Sequence, residues 1–519
     1  MARGYIIAAG HPLTGEAAEH ALRCGGNAID AACSGWLAAC LAEPVLTSPG
    51  GGGFAMVAPA SGKPRLYDFF AQTPRRINPE AALHPLEADF GSTRQVFHLG
   101  HGSVATPGCV AGILRMHADL GRLPLRECAA PALELSRSGL TVTEHAATLL
   151  DVVRALYRST PESAALFSSP SRPDACLREG ETFSNPAFET FLEMLVAEGS
   201  RWFYEGDIGR IIGDYCQQHN GHLSRDDFVH YRVALREPLM IRRNGATVFL
   251  NPPPSMGGTL IAVGLLSRGT PQHCAYPFEN RDAWMEWIDP LRLMSLMRSR
   301  EGHAGLTGAD RERIRSTLAS APEVGDALDT LFPGAFDHRQ ATGTTHISVI
   351  DEEGNEVSMT TSNGAGSAVI PRGTGFMLNN MLGEEDLQPG GLGTWEPDRR
   401  LASMMAPTLA VLGDGRRVAT GSGGSNRIRS TILQILRHLI DREAGIGEAV
   451  RAPRLHWESD QVHAESGAAE VLPGSLPWPV ILHDVPNLFF GGANSVACDR
   501  SGRFTGVADP RRGGVVLSG

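Results

Sequence analysis

The 519-residue sequence contains no run of about eighteen consecutive apolar residues, so no membrane-spanning helix is expected. Basic residues never cluster beyond a few positions, and the net charge is −11. Together these argue against a nucleic-acid footprint. Eighteen histidines are present without HExxH or other metal-ligand spacing, so no metal and no other cofactor is expected. The nine cysteines are odd in number and form no CxxC pair. Cys33 and Cys40 sit in an Ala-rich helical stretch, where cysteine behaves as a small buried hydrophobe. A reducing compartment fits this usage. The first residues, Met1 to Gly10, run directly into structured pattern with no apolar core of signal-peptide length, so the cytoplasm is the expected location.

What is abundant is glycine (60) and proline (34), clustered rather than periodic. Tyr5–Ala9 reads as a strand. Thr14 reads as the cap of a helix over Glu16–Cys24, and Asn27 as the start of a second helix reaching about Ala42. Ser48-Pro49-Gly50-Gly51-Gly52-Gly53 then precedes a strand, Phe54–Val57. Such a run either brings backbone N–H groups to a ligand or packs closely. Arg65–Phe70 reads as a strand, and Cys109–Leu120 and Leu125–Ser138 as helices. Ser224 reads as a cap followed by acidic first-turn residues. Thr247–Leu250 leads into the rigid turn Asn251-Pro252-Pro253-Pro254-Ser255-Met256-Gly257-Gly258. Residues 280–320 read as helical, and 321–340 as loop with a short helix. Gly375–Leu378, Ala406–Leu412 and Val418 onward read as strands, and Ile428–Ile440 as a helix opening from a Gly/Ser loop. With strands at both ends and no linker or repeat, the pattern predicts one α/β unit whose sheet core is assembled from distant segments.

At the centre lies Ala341-Thr342-Gly343-Thr344-Thr345-His346. Thr345–Ile350 alternates branched and polar residues, Asp351–Asn355 turns the chain, and Val357–Thr361 starts a second strand. This is a β-hairpin with Thr344 at its mouth. By itself it is a strand entry. A hydroxyl directly after a glycine can also attack that peptide bond and free Thr344 as a new N-terminus.

His11-Pro12, Gly25 to Ala32, Gly50 to Phe54, Asn251 to Gly258, Thr344-Thr345-His346, Leu378-Asn379-Asn380, Pro407-Thr408, Gly421 to Arg427 and Asp509-Pro510-Arg511 resemble, in this order and nearly end to end, the gamma-glutamyltranspeptidase family. The resemblance implies a four-layer αββα sandwich of the N-terminal nucleophile hydrolase type. It also implies a precursor that cuts itself at Gly343–Thr344, giving a large segment 1–343 and a small segment 344–519 that stay intertwined. Thr344 would be the nucleophile, with Ser362 supporting it from the next strand. Backbone N–H groups of Gly424 and Ser425 would hold the oxyanion, Gly423 being the register alternative. Phe70, Asn363, Met381, Glu384, Ser403 and Met404 fall at substrate-binding positions, and His346 is expected to be structural. The partners implied are a small-molecule amide, water or an amine acceptor, and the two fragments of one precursor. A homo-oligomer is compatible with the pattern; membrane and nucleic acid are not expected.

Several positions depart from the family pattern. Phe70 stands where the carboxylate-binding Arg is expected, Glu384 replaces an Asp, Met381 a Gln, and Met404 the second Ser of a pair. A ring cannot replace a bidentate guanidinium. The expectation is an acyl pocket more apolar than a glutamyl one, as in the branch that resembles acylases acting on glutaryl-type and other acyl amides, including cephalosporin acylases. Two alternatives remain: a true gamma-glutamyl transferase or glutathione hydrolase with a displaced Arg (Arg75, Arg76, Arg399 or Arg400), and a non-cleaving homologue acting as a binding or scaffold protein.

Overall fold

The computed structural model describes residues 4–89, 94–267, 281–298, 307–331, 343–388, 391–467 and 476–519. Residues 341 and 342 of the central stretch and 332–340 of the expected loop lie outside them.

Two antiparallel sheets are stacked between helical layers. The seven-stranded sheet has the order Val515–Ser518, Ile6–Ala9, Gly343–Ile350, Glu356–Gly364, Gly52–Ala58, Arg65–Phe69, Ala234–Arg236. The six-stranded sheet has the order Phe504–Val507, Gly492–Cys498, Arg417–Gly423, Thr408–Val411, Ala246–Leu250, Leu239–Arg243. Neighbours in the sheets come from distant parts of the chain: Ile6 pairs with Ile350 and Thr361 with Gly53. The expected four-layer sandwich is thus what the chain forms.

Strand alternation divides the apolar residues between two cores. Ile7, Ala9, Ala55, Val57, Ile347, Val349, Val357 and Met359 face outward, against the helices Ala28–Ala42 and Cys109–Leu120. Ile6, Ala8, Phe54, Met56, Leu66 and Ile350 belong to the other core, with the six-stranded sheet and its covering helices Met256–Leu266 and Arg427–Asp441. Near the hairpin the layer between the sheets is polar and hydrogen-bonded. Ser348 Oγ donates to the Asn494 carbonyl at 2.9 Å, Ser358 Oγ to the Thr420 carbonyl at 2.8 Å, and Asn494 Nδ2 to the His346 carbonyl at 3.0 Å. Burying such groups is tolerable only because each finds a partner, and the partners fix how the sheets stack.

Local signals mostly act as read. Asn27 and Asp30 form a reciprocal capping box at the helix Ala28–Ala42, and Ser224 and Asp227 form another at Arg225–His230. Two readings are corrected. The first helix runs Pro12–Arg23 and is capped by His11, whose Nδ1 accepts from Leu13 N at 3.1 Å. Pro12 suits the first helical position, which moves the start upstream. Thr14 is therefore inside the helix, and its hydroxyl donates to Glu43 at 2.7 Å. Gly375–Leu378 is not a strand. Gly375 has φ of 70°, and Leu378 makes only an isolated bridge to Gly50.

Candidate active site

The hairpin brings Thr344 opposite Ser362, with a register irregularity between Gly343 and Thr344. Both hydroxyl side chains are buried and line one cavity. Thr344 Oγ1 donates to Ser362 Oγ at 3.4 Å, Gly364 N donates to the same oxygen at 3.0 Å, and Ser362 Oγ donates to the Gly343 carbonyl at 2.5 Å. A hydroxyl has one hydrogen and two lone pairs, so Ser362 is fully used. Its one hydrogen lies on the carbonyl that precedes Thr344.

The close-packed alternative holds for the Gly50–Gly53 run. A Cβ on Gly51 would stand 2.3 Å from the Ser362 carbonyl oxygen. The glycines let this strand lie directly against the Ser362 strand. Gly364 has φ of 66°, and a Cβ there would lie 2.4 Å from Glu384 Oε1. Its lack of a side chain lets the Glu384 carboxyl approach the end of the hairpin.

Besides Thr344 and Ser362, the cavity is lined by Phe70, Met381, Glu384, Asp386, Leu387, Ser403, Met404, Met405, Ser425 and Ile428. Its volume is about 30 Å³, room for one or two waters. Phe70 stacks on Phe54 with ring centroids 5.4 Å apart. Asn379 holds the Met381 loop, donating to the carbonyls of Gly50 at 2.7 Å and Ala105 at 2.9 Å. The Asn251–Gly258 motif holds the opposite wall. Asn251 Nδ2 donates to the Met405 carbonyl at 3.2 Å, and Met256 N to the Ser403 carbonyl at 2.8 Å.

The ionisable side chains lining this cavity are acidic. Burial raises the Glu384 carboxyl to about 8, with Asp386 adding to the shift, and Glu384 Oε1 has no hydrogen-bond partner. Burial raises Asp386 too, opposed by its ion pair with Arg298. None of the arginines considered as substitutes lines the cavity. Arg75 pairs with Asp226 and Asp398, Arg76 is exposed, and Arg399 pairs with Glu396. Arg400 binds the Phe70 carbonyl, Tyr231 and Asp68, and lies over the Tyr231 ring.

Gly423 packs on the Thr344 carbonyl, where its Cβ would come within 2.4 Å of the oxygen, and Gly424 and Ser425 follow with φ of 123° and 52°. The turn delivers the chain into the helix Arg427–Asp441, and Ser425 Oγ donates to Asp386 at 3.4 Å. Ser425 lines the cavity; Gly424 does not. Asn363 does not line it either. Strand alternation turns its side chain away from the Ser362 face, where it accepts from Ser48 Oγ at 2.9 Å and donates to the Met377 carbonyl at 3.2 Å. His346 is held by Thr360 and Ser348, both at 2.8 Å, and burial lowers its pKa to about 3, so it is a neutral spacer between the sheets.

Three residues around the site escape a reading of the sequence. Glu43, brought from the end of the second helix, accepts from Thr345 Oγ1 at 2.6 Å. Arg512 Nη1 donates to the Thr344 carbonyl at 3.4 Å. Asp386 joins the cavity wall; the acidic run Glu384-Glu385-Asp386 was its only signal in the sequence.

Comparison with known proteins gives the chain's family and fold. The model of the family described as gamma-glutamyltranspeptidase matches residues 14–519. An "Acylase ACY 1 proenzyme" of Pseudomonas sp. (strain V22) is 30% identical over 540 aligned residues, covering 100% of this chain and 94% of the relative. The "Glutathione hydrolase proenzyme" of Escherichia coli (strain K12) is 28% identical, covering 94% and 87%. The crystal structure of a cephalosporin acylase from Bacillus halodurans superposes with a TM-score of 0.80 over 99% of this chain and 96% of that one. At 22% identity this likeness speaks to fold alone.

Proposed function

Because the chain belongs to the gamma-glutamyltranspeptidase family of enzymes, we propose that it is an autoprocessing amidohydrolase or acyltransferase with Thr344 as its nucleophile. The observation that carries this reading is the hydrogen-bonded chain from Thr344 Oγ1 to Ser362 Oγ and from Ser362 Oγ to the Gly343 carbonyl, on the wall of a buried cavity.

In the precursor, Thr344 Oγ attacks the Gly343 carbonyl carbon while Ser362 polarises its oxygen. The C–N bond breaks, the Thr344 nitrogen leaves as an amine carrying the proton that the hydroxyl gave up, and water opens the resulting ester. The freed α-amine has an ordinary pKa near 8, close enough to neutrality for it to act as base for its own hydroxyl. In turnover the amine takes the Thr344 proton, the hydroxyl attacks the substrate amide, and the leaving amine departs with the proton. Water or an acceptor amine then releases the acyl group. Backbone N–H groups of Gly424 and Ser425, with Gly423 as the register alternative, are read as the oxyanion donors, each worth roughly 3–4 kcal/mol of transition-state stabilisation. Segments 1–343 and 344–519 are read as the two fragments, which stay interleaved because they share both sheets.

The cavity also indicates the acyl group. Phe70, Met381, Leu387, Met404, Met405 and Ile428 make it mainly apolar, and its ionisable groups are Glu384 and Asp386. A free carboxylate on the acyl chain, whether glutamyl or glutaryl, would enter between two acids with no cation among the described lining residues. We therefore favour an acyl group without a free carboxylate, and an acylase rather than a glutathione hydrolase activity.

The test compares a gamma-glutamyl anilide, a glutaryl anilide and simple acyl anilides. Preference for the simple acyl compounds is expected; preference for either carboxylate-bearing compound would overturn the acyl assignment. Thr344→Ala should abolish cleavage and turnover together, while Thr344→Ser should retain some of each. A Thr344→Ala protein that still turns over amides would overturn the nucleophile.

A further inference from the structure

A second cluster of reactive side chains lies in the outer helical layer, away from Thr344. Asp30 is on the helix Ala28–Ala42, His117 is on Cys109–Leu120, and Cys128 is on Leu125–Ser138. His117 Nε2 is 3.3 Å from Asp30 Oδ1 and 3.7 Å from Cys128 Sγ, and Cys128 Sγ is 4.0 Å from Asp30 Oδ1. We propose that Asp30, His117 and Cys128 form a binding site for one zinc-type divalent cation, with water in the fourth position.

The separations are those the chemistry needs. Zinc bonds of about 2.0–2.3 Å to N, O and S ligands in a tetrahedron place the ligand atoms roughly 3.3–3.8 Å apart. The three measured edges match this to within a few tenths of an ångström. One thiol, one imidazole and one carboxylate also make a ligand set suited to a borderline-soft ion.

Hydrogen bonding alone serves this arrangement poorly. The single Nε2 hydrogen of His117 faces three acceptors: the Leu123 carbonyl at 2.9 Å, Asp30 and Cys128. One hydrogen satisfies one of them well, whereas a cation at the centre of the cluster satisfies the ligand atoms at once and leaves only the Leu123 carbonyl without this donor. The carboxylate is already oriented. Asp30 accepts from the backbone N–H groups of Asn27, Arg122 and Leu123 at 2.9–3.2 Å, the outer-shell support a metal-binding carboxylate requires. Asp30 and Cys128 are fully buried, while the His117 side chain is 12% exposed, so an ion enters from the His117 edge. Binding displaces the Nε2 proton and the thiol proton into solvent, making affinity rise with pH.

The test is titration of the metal-stripped full-length protein with Co²⁺ and then Zn²⁺. One equivalent of Co²⁺ per chain is expected to give a thiolate-to-metal charge-transfer band, bleached by one equivalent of Zn²⁺. The band should be lost in Cys128→Ser and in His117→Gln, and should persist in Cys498→Ser, whose buried thiol lies in another part of the fold. No band in the wild type, or a band surviving in Cys128→Ser, overturns the proposal. Should the variants not fold, X-ray absorption of the wild-type protein decides: a mixed sulfur and nitrogen/oxygen shell supports the site, and an all-oxygen shell refutes it.

Discussion

Replacing Ser362 by Ala removes the one hydrogen aimed at the Gly343 carbonyl, at 2.5 Å, and deletes the acceptor of Gly364 N and of Thr344 Oγ1. The first loss acts on the transition state. As Thr344 attacks, charge grows on the Gly343 oxygen, and losing a donor aimed at such an oxygen costs about 2.7–4 kcal/mol, or a 10²–10³-fold slower reaction. The second loss acts on the fold, because an unpartnered buried N–H costs about 1–3 kcal/mol. The two are separable. Cleavage is followed as the conversion of full-length chain into two fragments on a denaturing gel, and stability is followed by thermal unfolding of the same samples. Ser362→Ala should slow cleavage by two to three orders of magnitude with a modest loss of stability. Ser362→Thr, which keeps the hydroxyl, should cleave within about tenfold of wild type. Cleavage of the Ala variant within a few-fold of wild type would refute the role given to Ser362.

Other predictions follow from the same geometry. Glu384, raised to about 8, holds a proton in the folded chain that it loses in the unfolded chain near 4.5, so this group makes stability fall as pH rises between those values. Glu384→Gln should flatten that part of the stability–pH curve, and an unchanged curve would count against a buried, protonated Glu384. Gly51→Ala sets a Cβ 2.3 Å from the Ser362 carbonyl. It should destabilise the fold by about 1–3 kcal/mol and impair cleavage, read by thermal unfolding and by the gel. Phe70→Ala removes a buried ring from the cavity wall, costing about 3–5 kcal/mol of stability, and should raise kcat/KM for bulky acyl anilides relative to small ones. An unchanged ratio would place the acyl group elsewhere.

The hairpin, its register and the Gly/Ser turn before Arg427–Asp441 were legible because local patterns encode them: alternation, a turn, then a helix start. The helix start at Asn27 and the cap at Ser224 were legible for the same reason. The first helix start was misread because Pro12 and His11 outweigh Thr14, whose hydroxyl serves Glu43 instead. Asn363 was placed at the substrate by resemblance, yet neighbours on a strand face opposite ways, and its partners are Ser48 and Met377. Glu43 and Arg512 were not legible at all. They reach Thr345 and Thr344 across 302 and 168 residues of chain, and no local spacing reports such a meeting. Asp386 became meaningful only once the cavity was closed around it.

The central claim is that Thr344 is a nucleophile hidden inside a precursor, and the mass of the purified chain under denaturing conditions tests it most directly. The account predicts two species whose masses meet at the Gly343–Thr344 bond, with Thr344 as the new N-terminus, and a single full-length species for Thr344→Ala. A wild-type chain that remains one full-length species after prolonged incubation would contradict it.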